Sequence, residues 1–360
     1  MKVSIIGNNL TSLALAKALV NKEIFVDIFY KNKKINIDKN RTIGISKSNV
    51  DYFNKNISNI TKILWPIKKI KIYSENSGKD KLISFEDQKK NLFSIMKNEI
   101  IFDQLYFELK KNKFLRFKKD NGYKSLNISD YNLIINCDFN HEITQKFFFK
   151  KFKKNYSSIA FTTVISHKKL KSNDIAFQIF TNKGPIAFLP VSESKTSIVY
   201  SKRTNKLNSD IDIENLIEKF GLNYKIKQIN KISKFNLFSF NLRQYYKDNI
   251  LAFGDLLHKL HPLAGQGFNM SIRDIKKLLE IINEKVELGL PLDKNICIEF
   301  QNKTKSKNFI FSEGIDFIYE SFNSKDRLKN NFIDKTVKLI GRNKLINKYF
   351  IKIADIGLNS

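Results

Sequence analysis

Apolar residues recur along this chain in two periods, and the two periods divide it. Short apolar runs bounded by Gly, Asn or Asp read as buried strands at 2–6, 23–29, 133–138 and 250–253. Between the first two, Leu13, Leu15, Ala16 and Leu19 mark an amphipathic helix, so the chain opens β-α-β. A middle block at 156–167, 176–180, 185–190, 197–202 and 235–243 reads as antiparallel strands, with Asn182, Lys183, Gly184 and Pro185 supplying hairpin-turn chemistry. Residues 65–85 read as two strands around a turn at Asn76, Ser77 and Gly78, and 96–109 as a helix. Phe268 opens another helix, in which Ile272, Ile275, Leu278, Leu279 and Ile282 fall near helical spacing. Further helices are predicted over 296–319, 327–339 and 344–356.

This order predicts an α/β protein. A discontinuous Rossmann-like domain takes 1–64, 90–150 and 245–290. An antiparallel β-sheet domain is inserted as 65–89 and 151–244, and 291–360 forms a helical C-terminal region. With 360 residues, 42% of them hydrophobic, the chain can bury a large core and is not a disordered one. No apolar run reaches the roughly 18 residues of a transmembrane helix, and the opening residues enter a strand without a signal-peptide pattern. Cys137 and Cys297 suggest no disulfide framework, so the expectation is a cytoplasmic protein. The net charge of +29 leaves two readings open, solvated Lys faces or contact with an anionic membrane surface. Only seven of the 64 basic residues are Arg, and no aromatic-plus-Arg platform supports nucleic-acid binding.

The candidate chemistry concentrates in 249–280. A strand ends at Gly254 and Asp255, a loop carries His258, His261, Pro262, Gly265 and Gly267, and a helix follows. That geometry offers backbone N–H groups and a positive dipole end to an electron-rich ligand, while Asp255 can accept from ligand hydroxyls. The first loop is a poorer dinucleotide fingerprint. Gly7 is present, but Asn9 and Ser12 stand where glycines belong, and Tyr30 stands where an acidic residue would hold a ribose. Two His at i, i+3 without Cys or carboxylate partners make a poor metal site, and no G-x-S-x-G is present.

Gly254, Asp255, His258, His261, Pro262, Ala264, Gly265, Gln266, Gly267, Asn269 and Asp274 together resemble the second FAD motif of class A flavin monooxygenases, most closely the ubiquinone-biosynthesis hydroxylases. The resemblance implies a para-hydroxybenzoate hydroxylase-like fold, the Rossmann-like part holding FAD and the inserted sheet covering the substrate. It implies Asp255 on the flavin ribityl chain, the backbone of Ala264, Gly265, Gln266, Gly267 and Asn269 along the flavin ring, and Pro262 at the pocket floor. Arg41, in a segment similar to the family's flavin-side arginine, would meet phosphate or flavin. Asp138 matches the Asp of a family Asp-Gly pair, with Phe139 replacing the Gly; a ligand contact and a plain polar strand end are both open. The hairpin over 176–190 resembles the family's hairpin that roofs the pocket, which would put Phe188 and Pro190 with Pro262 at the substrate; that any one of these apolar residues is plain core is equally open.

Two functions follow. In the first, NADH or NADPH reduces FAD, O₂ adds at flavin C4a, and the hydroperoxide hydroxylates the ring of a polyprenylated phenol in ubiquinone biosynthesis. In the second, favoured by the altered Gly7 loop and by Phe139, the chain is a flavin-poor scaffold for other ubiquinone-pathway proteins. A polyprenyl substrate implies peripheral attachment to the inner face of a membrane, for which Phe309, Phe311, Ile315, Phe317, Ile318 and Phe322 are the candidate apolar face.

Overall fold

A computed structural model describes residues 1–31, 37–75, 81–86, 91–123, 126–204, 211–220, 224–262, 265–323 and 344–357. In chain order the elements are β1 (Lys2–Ile6), α1 (Leu10–Val20), β2 (Phe25–Tyr30), β3 (Thr42–Ser46), α2 (Lys47–Asn56), β4 (Trp65–Ile67), β5 (Lys69–Ser74), β6 (Lys81–Glu86), β7 (Phe93–Lys97), α3 (Asn98–Lys110), β8 (Leu115–Lys119), β9 (Leu133–Asn136) and α4 (Glu142–Phe147). There follow β10 (Lys151–His167), β11 (Ile175–Thr181), β12 (Gly184–Ser192), β13 (Lys195–Arg203), α5 (Ile213–Lys219), β14 (Ile226–Ile229), β15 (Ser233–Leu242), β16 (Tyr246–Lys247), β17 (Ile250–Ala252), β18 (His258–Lys259), α6 (Gln266–Glu287), α7 (Lys294–Asn323) and α8 (Lys344–Ile356).

The strands form three sheets. β17, β9, β1, β2 and β8 lie parallel in that order, with β16 antiparallel at one edge. Their inward residues are almost wholly aliphatic, as expected of parallel strands covered on both faces. α1, α3 and α6 supply that cover, and one core runs through them from Val3 and Leu13 to Leu105 and Ile275. The mainly antiparallel sheet runs β18-β15-β10-β13-β12-β11-β5-β6, with β14 also pairing β10. One face packs under α5, through Phe161, Ile186, Phe188, Ile198 and Tyr200. The other meets α6 and α7, through Phe180 with Met270, Phe311 and Ile315, and through Ala160 and Leu237 with Tyr319. A small sheet of β3, β7 and β4 joins the two larger ones, and the Thr42 hydroxyl donates to that of Ser197 at 2.9 Å.

The architecture expected from the sequence is the one found, with local corrections. Met96 and Lys97, expected in the helix, end β7 instead, Met96 pairing with Ile43; α3 starts only at Asn98. α6 starts at Gln266, ahead of Phe268, because Gly265 takes a left-handed conformation as its N-cap. The turn expected at 76–78 and the helix expected over 327–339 lie outside the described residues. The proposed apolar face of the C-terminal third is also divided. Phe311 and Ile315 are buried, and Phe322 stacks on Phe180, so only Phe309, Phe317 and Ile318 of that set are exposed, joined by Ile310. Among the described residues no helix is long and apolar enough to cross a membrane.

Candidate functional site

The carboxyl ends of β1, β9 and β17 lie side by side, which brings Gly7, Asp138 and the Gly254–Asp255 pair to one edge of the parallel sheet. Close approach explains two of the glycines. Gly7 has φ 97°, and a Cβ there would stand 3.2 Å from the Asp138 Cβ. Gly254 has φ 64°, and a Cβ there would stand 2.7 Å from the Thr11 Cγ2. Asp255, one residue on, is exposed at this edge.

The first loop is closed from within. The Asn9 Oδ1 accepts from the backbone N–H of Ser12 at 3.0 Å and from its hydroxyl at 3.1 Å, and its Nδ2 donates to the Cys137 carbonyl at 2.8 Å. Asn9 is thus an N-cap for α1 and a clamp between α1 and the end of β9. The sequence placed this side chain beside a phosphate; instead it points into the protein, and the Ser12 N–H already has its acceptor. Asp138 is half-buried, and its Oδ1 accepts from the Asn140 N–H at 2.8 Å. Asp27 is buried in β2, accepting from the Tyr131 hydroxyl at 2.8 Å and lying 2.9 Å from Lys118 Nζ. Burial alone would raise its carboxyl, yet hydrogen bonds from Lys118 and Tyr131 carry it below the usual range. Tyr30, at the end of β2, rests edge-on against Phe117.

The second loop is built differently. α6 has no side-chain cap at its N-terminus, and a Cβ added at Gly267 would meet nothing within 4 Å. Among the described residues no side chain caps the backbone donors of the first turn. The loop before it is held from behind by Asn269, which is fully buried. Its Oδ1 accepts from the Ser46 N–H at 2.9 Å and from Asn49 Nδ2 at 2.8 Å, and its Nδ2 donates to the carbonyls of Gly44 at 3.0 Å and Gly265 at 3.1 Å. The expectation for Asn269 concerned its backbone; its side-chain amide is wholly engaged in fixing the loop. Gln266 likewise turns away from the edge, its Oε1 accepting from Arg273 at 2.9 Å, and Arg273 reaches on to the Ala354 carbonyl in α8 at 3.4 Å. His258 Nε2 and Asp274 Oδ2 lie 2.7 Å apart, and the other Asp274 oxygen accepts from Asn308 at 2.9 Å. The two motif residues are one buried lock between β18, α6 and α7. Among the described residues no group of His, Cys, Asp or Glu could hold a metal.

His261 is 1% exposed and stacks on Tyr319 at 4.0 Å, and neither ring nitrogen has a hydrogen-bond partner. Pro262 follows it, half-buried, at the approach to α6. Ala264 lies outside the described residues. Arg41 is exposed at the start of β3 and acts through space on Lys259. Phe188 and Pro190 are corrected. Phe188 belongs to the core under α5, and Pro190 pairs with Thr196 on that same face, away from α6 and the Pro262 loop. The side chains that β12 turns the other way are those of Ala187, Leu189 and Val191; Leu189 and Val191 pack with Ile67 and Ile95. Asn49, Ser46 and Arg273 escaped notice in the sequence, since their partners are far away along the chain and no spacing marks them.

Comparison with known proteins agrees with this geometry. A family described as "FAD binding domain" matches residues 138–287. The p-nitrophenol 4-monooxygenase of Pseudomonas putida superposes with a TM-score of 0.78 at 10% identity, covering 99% of this chain and 98% of its own. Klebsiella pneumoniae HpxO, solved with FAD and uric acid, superposes with a TM-score of 0.74 at 13% identity, covering 100% and 97%. The chain has the fold of the class A FAD-dependent monooxygenases. Its sequence relatives include ubiquinone-biosynthesis hydroxylases. It is 22% identical over 311 residues to the mitochondrial ubiquinone biosynthesis monooxygenase COQ6 of Drosophila melanogaster, covering 69% of this chain and 65% of that protein. It is 25% identical over 158 residues to the 3-demethoxyubiquinol 3-hydroxylase of Escherichia coli, covering 42% and 40%. The matches thus span less than two thirds of either relative's length. The residues present fit FAD: Asp255 is exposed at the sheet edge, and no side chain among the described residues caps the first turn of α6, whose backbone donors suit an electron-rich ligand.

Burial holds the His261 imidazole down at about 3, against 6.5 when unfolded. The folded state keeps it neutral while the unfolded state takes up a proton. Stability is therefore full above the unfolded value and is lost as pH falls towards about 3, at about 1.4 kcal/mol per pH unit. Urea unfolding at several pH values between 7 and 4 should show a shallower fall for His261→Phe than for wild type. Equal slopes would contradict the assignment.

Proposed function

We propose that this chain is an FAD-dependent monooxygenase that hydroxylates the aromatic ring of a polyprenylated phenol in ubiquinone biosynthesis, with NADH or NADPH as reductant and O₂ as oxidant. The observation that carries the proposal is the N-terminus of α6, without a side-chain cap among the described residues and fixed by Asn269 near the exposed Asp255. FAD, when bound, supplies the redox chemistry, accepting reducing equivalents and activating O₂.

The protein's part is to bind, orient and keep water out. Asp255 accepts from ribityl hydroxyls. The first-turn N–H groups of α6 offer a positive end to the flavin ring, where negative charge grows on reduction. Gly7 and Gly254 let the loops after β1 and β17 pack closely on Asp138 and Thr11, which fixes the edge where the cofactor would lie. The roof over the ring is the sheet face that carries Ala187 and Leu189, and Pro262 lies at the approach to α6. His261 stays neutral in its buried place and carries no charge into that space.

One observation favours a second reading, a non-catalytic relative that scaffolds other ubiquinone-pathway proteins: Asn9 caps α1 from within, where an open helix end would offer N–H groups to a diphosphate. Flavin content separates the two. The purified protein should be yellow, with FAD released by denaturation, and Asp255→Ala should lose most of it while keeping its fold. Colourless wild-type protein that takes up no added FAD would support the scaffold, and full flavin occupancy in Asp255→Ala would refute the role given to Asp255. Profiling quinone intermediates after deleting the gene tests the substrate; an unchanged profile would contradict it. Exposed Phe309, Ile310, Phe317 and Ile318 on α7, in a chain of +29 net charge, support peripheral contact with a bilayer. Co-sedimentation with anionic vesicles at low salt should detect it, and no binding there would dismiss it.

A further inference from the structure

The last turn of α8 touches two helices at once, α2 and α6. Asp355 Oδ1 accepts from the Ser48 N–H, in the first turn of α2, at 2.8 Å. The Asp355 carbonyl accepts from the hydroxyls of Ser46 at 2.9 Å and Ser48 at 2.8 Å. Ser46 stands at the N-cap of α2 and makes no side-chain cap there. The cap that α2 lacks locally is supplied by a carboxylate 307 residues further along the chain. Arg273 of α6 meets the same turn from the other side. Its Nη2 donates to the Ala354 carbonyl at 3.4 Å, at the negative end of α8. Gly357, with φ 74°, packs on the guanidinium, and a Cβ there would stand 2.6 Å from Arg273 Nη1.

Both contacts lead to the start of α6. Arg273 gives a second hydrogen bond to Gln266 Oε1 at 2.9 Å, and Gln266 is the first residue of that helix. Ser46 gives its hydroxyl to α8 and its N–H to Asn269 Oδ1. Ile353 adds an apolar contact with the cluster of Met270, Phe311 and Ile315. Arg273 is also an unusual choice for plain packing. It is buried, its Nε has no partner, and among the described residues it forms no ion pair. Burial brings the guanidinium down to about 10, opposed by Asp274 and Asp355 acting through space. A buried cation without a paired carboxylate costs stability that an apolar side chain of the same size would not. What only a guanidinium gives here is a fork that spans a side-chain oxygen of α6 and a backbone carbonyl of α8.

We propose that Arg273 and Asp355 are positioning residues for the cofactor: by seating the last turn of α8 they hold the first turn of α6 in the conformation that receives the flavin. Neither residue touches the flavin. Asp355 acts through Ser46 and Ser48, and Arg273 acts through Gln266. The proposal rests on the flavin reading given above for what the turn receives. The coupling from α8 to α6 does not depend on that reading, and the test separates the two.

Three substitutions disturb the seat without altering α6. Asp355→Ala removes the cap, and Asp355→Asn keeps an acceptor oxygen in its place. Gly357→Ala deletes no polar group but sets a methyl against Arg273. Amide hydrogen exchange on the full-length, flavin-free protein reads Ser48, and also Asn269 and Met270, which close the first turn of α6. In Asp355→Ala all three should exchange about tenfold faster, with β9 and β10 keeping their protection. Gly357→Ala should quicken Asn269 and Met270 several-fold, and Asp355→Asn should stay within about twofold of wild type. Titration of the same proteins with FAD should show about tenfold weaker binding in Asp355→Ala and recovery in Asp355→Asn. Affinity for reduced FAD should fall further than affinity for the oxidised form, because the turn faces charge that grows on reduction; a fold weakened in general would lower both alike. Unchanged exchange at Asn269 and Met270 in both alanine variants would overturn the coupling. Faster exchange there with undiminished FAD affinity would overturn the cofactor role. Should Asp355→Ala lose protection throughout, β9 and β10 included, Gly357→Ala decides by the same two criteria. A wild-type protein that takes up no FAD would sink the flavin reading instead, and the exchange measurements would still decide whether α8 holds the turn.

Discussion

The buried amide of Asn269 is the constraint on which the candidate site depends. Four hydrogen bonds from one side chain join α6 to β3, to α2 and to the carbonyl of its own N-cap residue. Its partners on Gly44, Ser46 and Asn49 are buried, so removing it would leave several polar atoms unpaired, at about 1–3 kcal/mol apiece. A left-handed glycine followed by an uncapped helix end is not a conformation that a loop keeps unaided. Gly265 supplies the dihedral freedom, and Asn269 supplies the hold. The lock between His258, Asp274 and Asn308 secures the other side of the same helix, and Gln266 with Arg273 ties its first turn to α8. The ends of α1 and α6 are thereby set apart. α1 is closed by Asn9, whereas α6 is held firmly from behind and carries no side-chain cap among the described residues.

The long apolar runs were legible as elements because their burial is nearly complete. β1, β9 and β17 read as continuous aliphatic stretches, which is how parallel strands under two helical layers must read. Boundaries were less legible where a strand runs straight into a helix, as at Met96 and Asn98. The fixed spacing of the motif from Gly254 to Asp274 revealed a site, but not what each letter does. Spacing alone does not tell a residue that touches a ligand from one that fixes the residues that do. His258, Asn269 and Asp274 are of the second kind, and Gly254 is needed because Thr11 lies against it.

The reading of Phe188 and Pro190 went astray for a related reason. A β-strand alternates its faces, and both faces of β12 are covered, so hydrophobicity does not reveal which set points towards α6. Only the pairing with β11 and β13 fixes it, through Ile186 and Ile198 on one side and Phe180 with Met270 on the other. Asn9 was misjudged because a glycine pattern describes what a loop lacks. The structure shows what the Asn adds, a cap and a clamp across to the Cys137 carbonyl. Phe139 occupies the remaining departure from the pattern, and its exposed ring meets Phe240 and Lys151, which nothing in the local sequence announced.

The account's central claim is that Asn269 holds the α6 terminus ready before any ligand arrives. Amide hydrogen exchange on the flavin-free protein measures this directly, segment by segment. In wild type the amide of Ser46, which donates to Asn269 Oδ1, and those of Asn269 and Met270, which close the first turn of α6, should be protected, and in Asn269→Ala they should exchange at least about tenfold faster, while β10 and the middle of α7 keep their protection. Unchanged exchange at Ser46, Asn269 and Met270 in the variant would contradict the claim and leave the loop's order to be explained by some other contact.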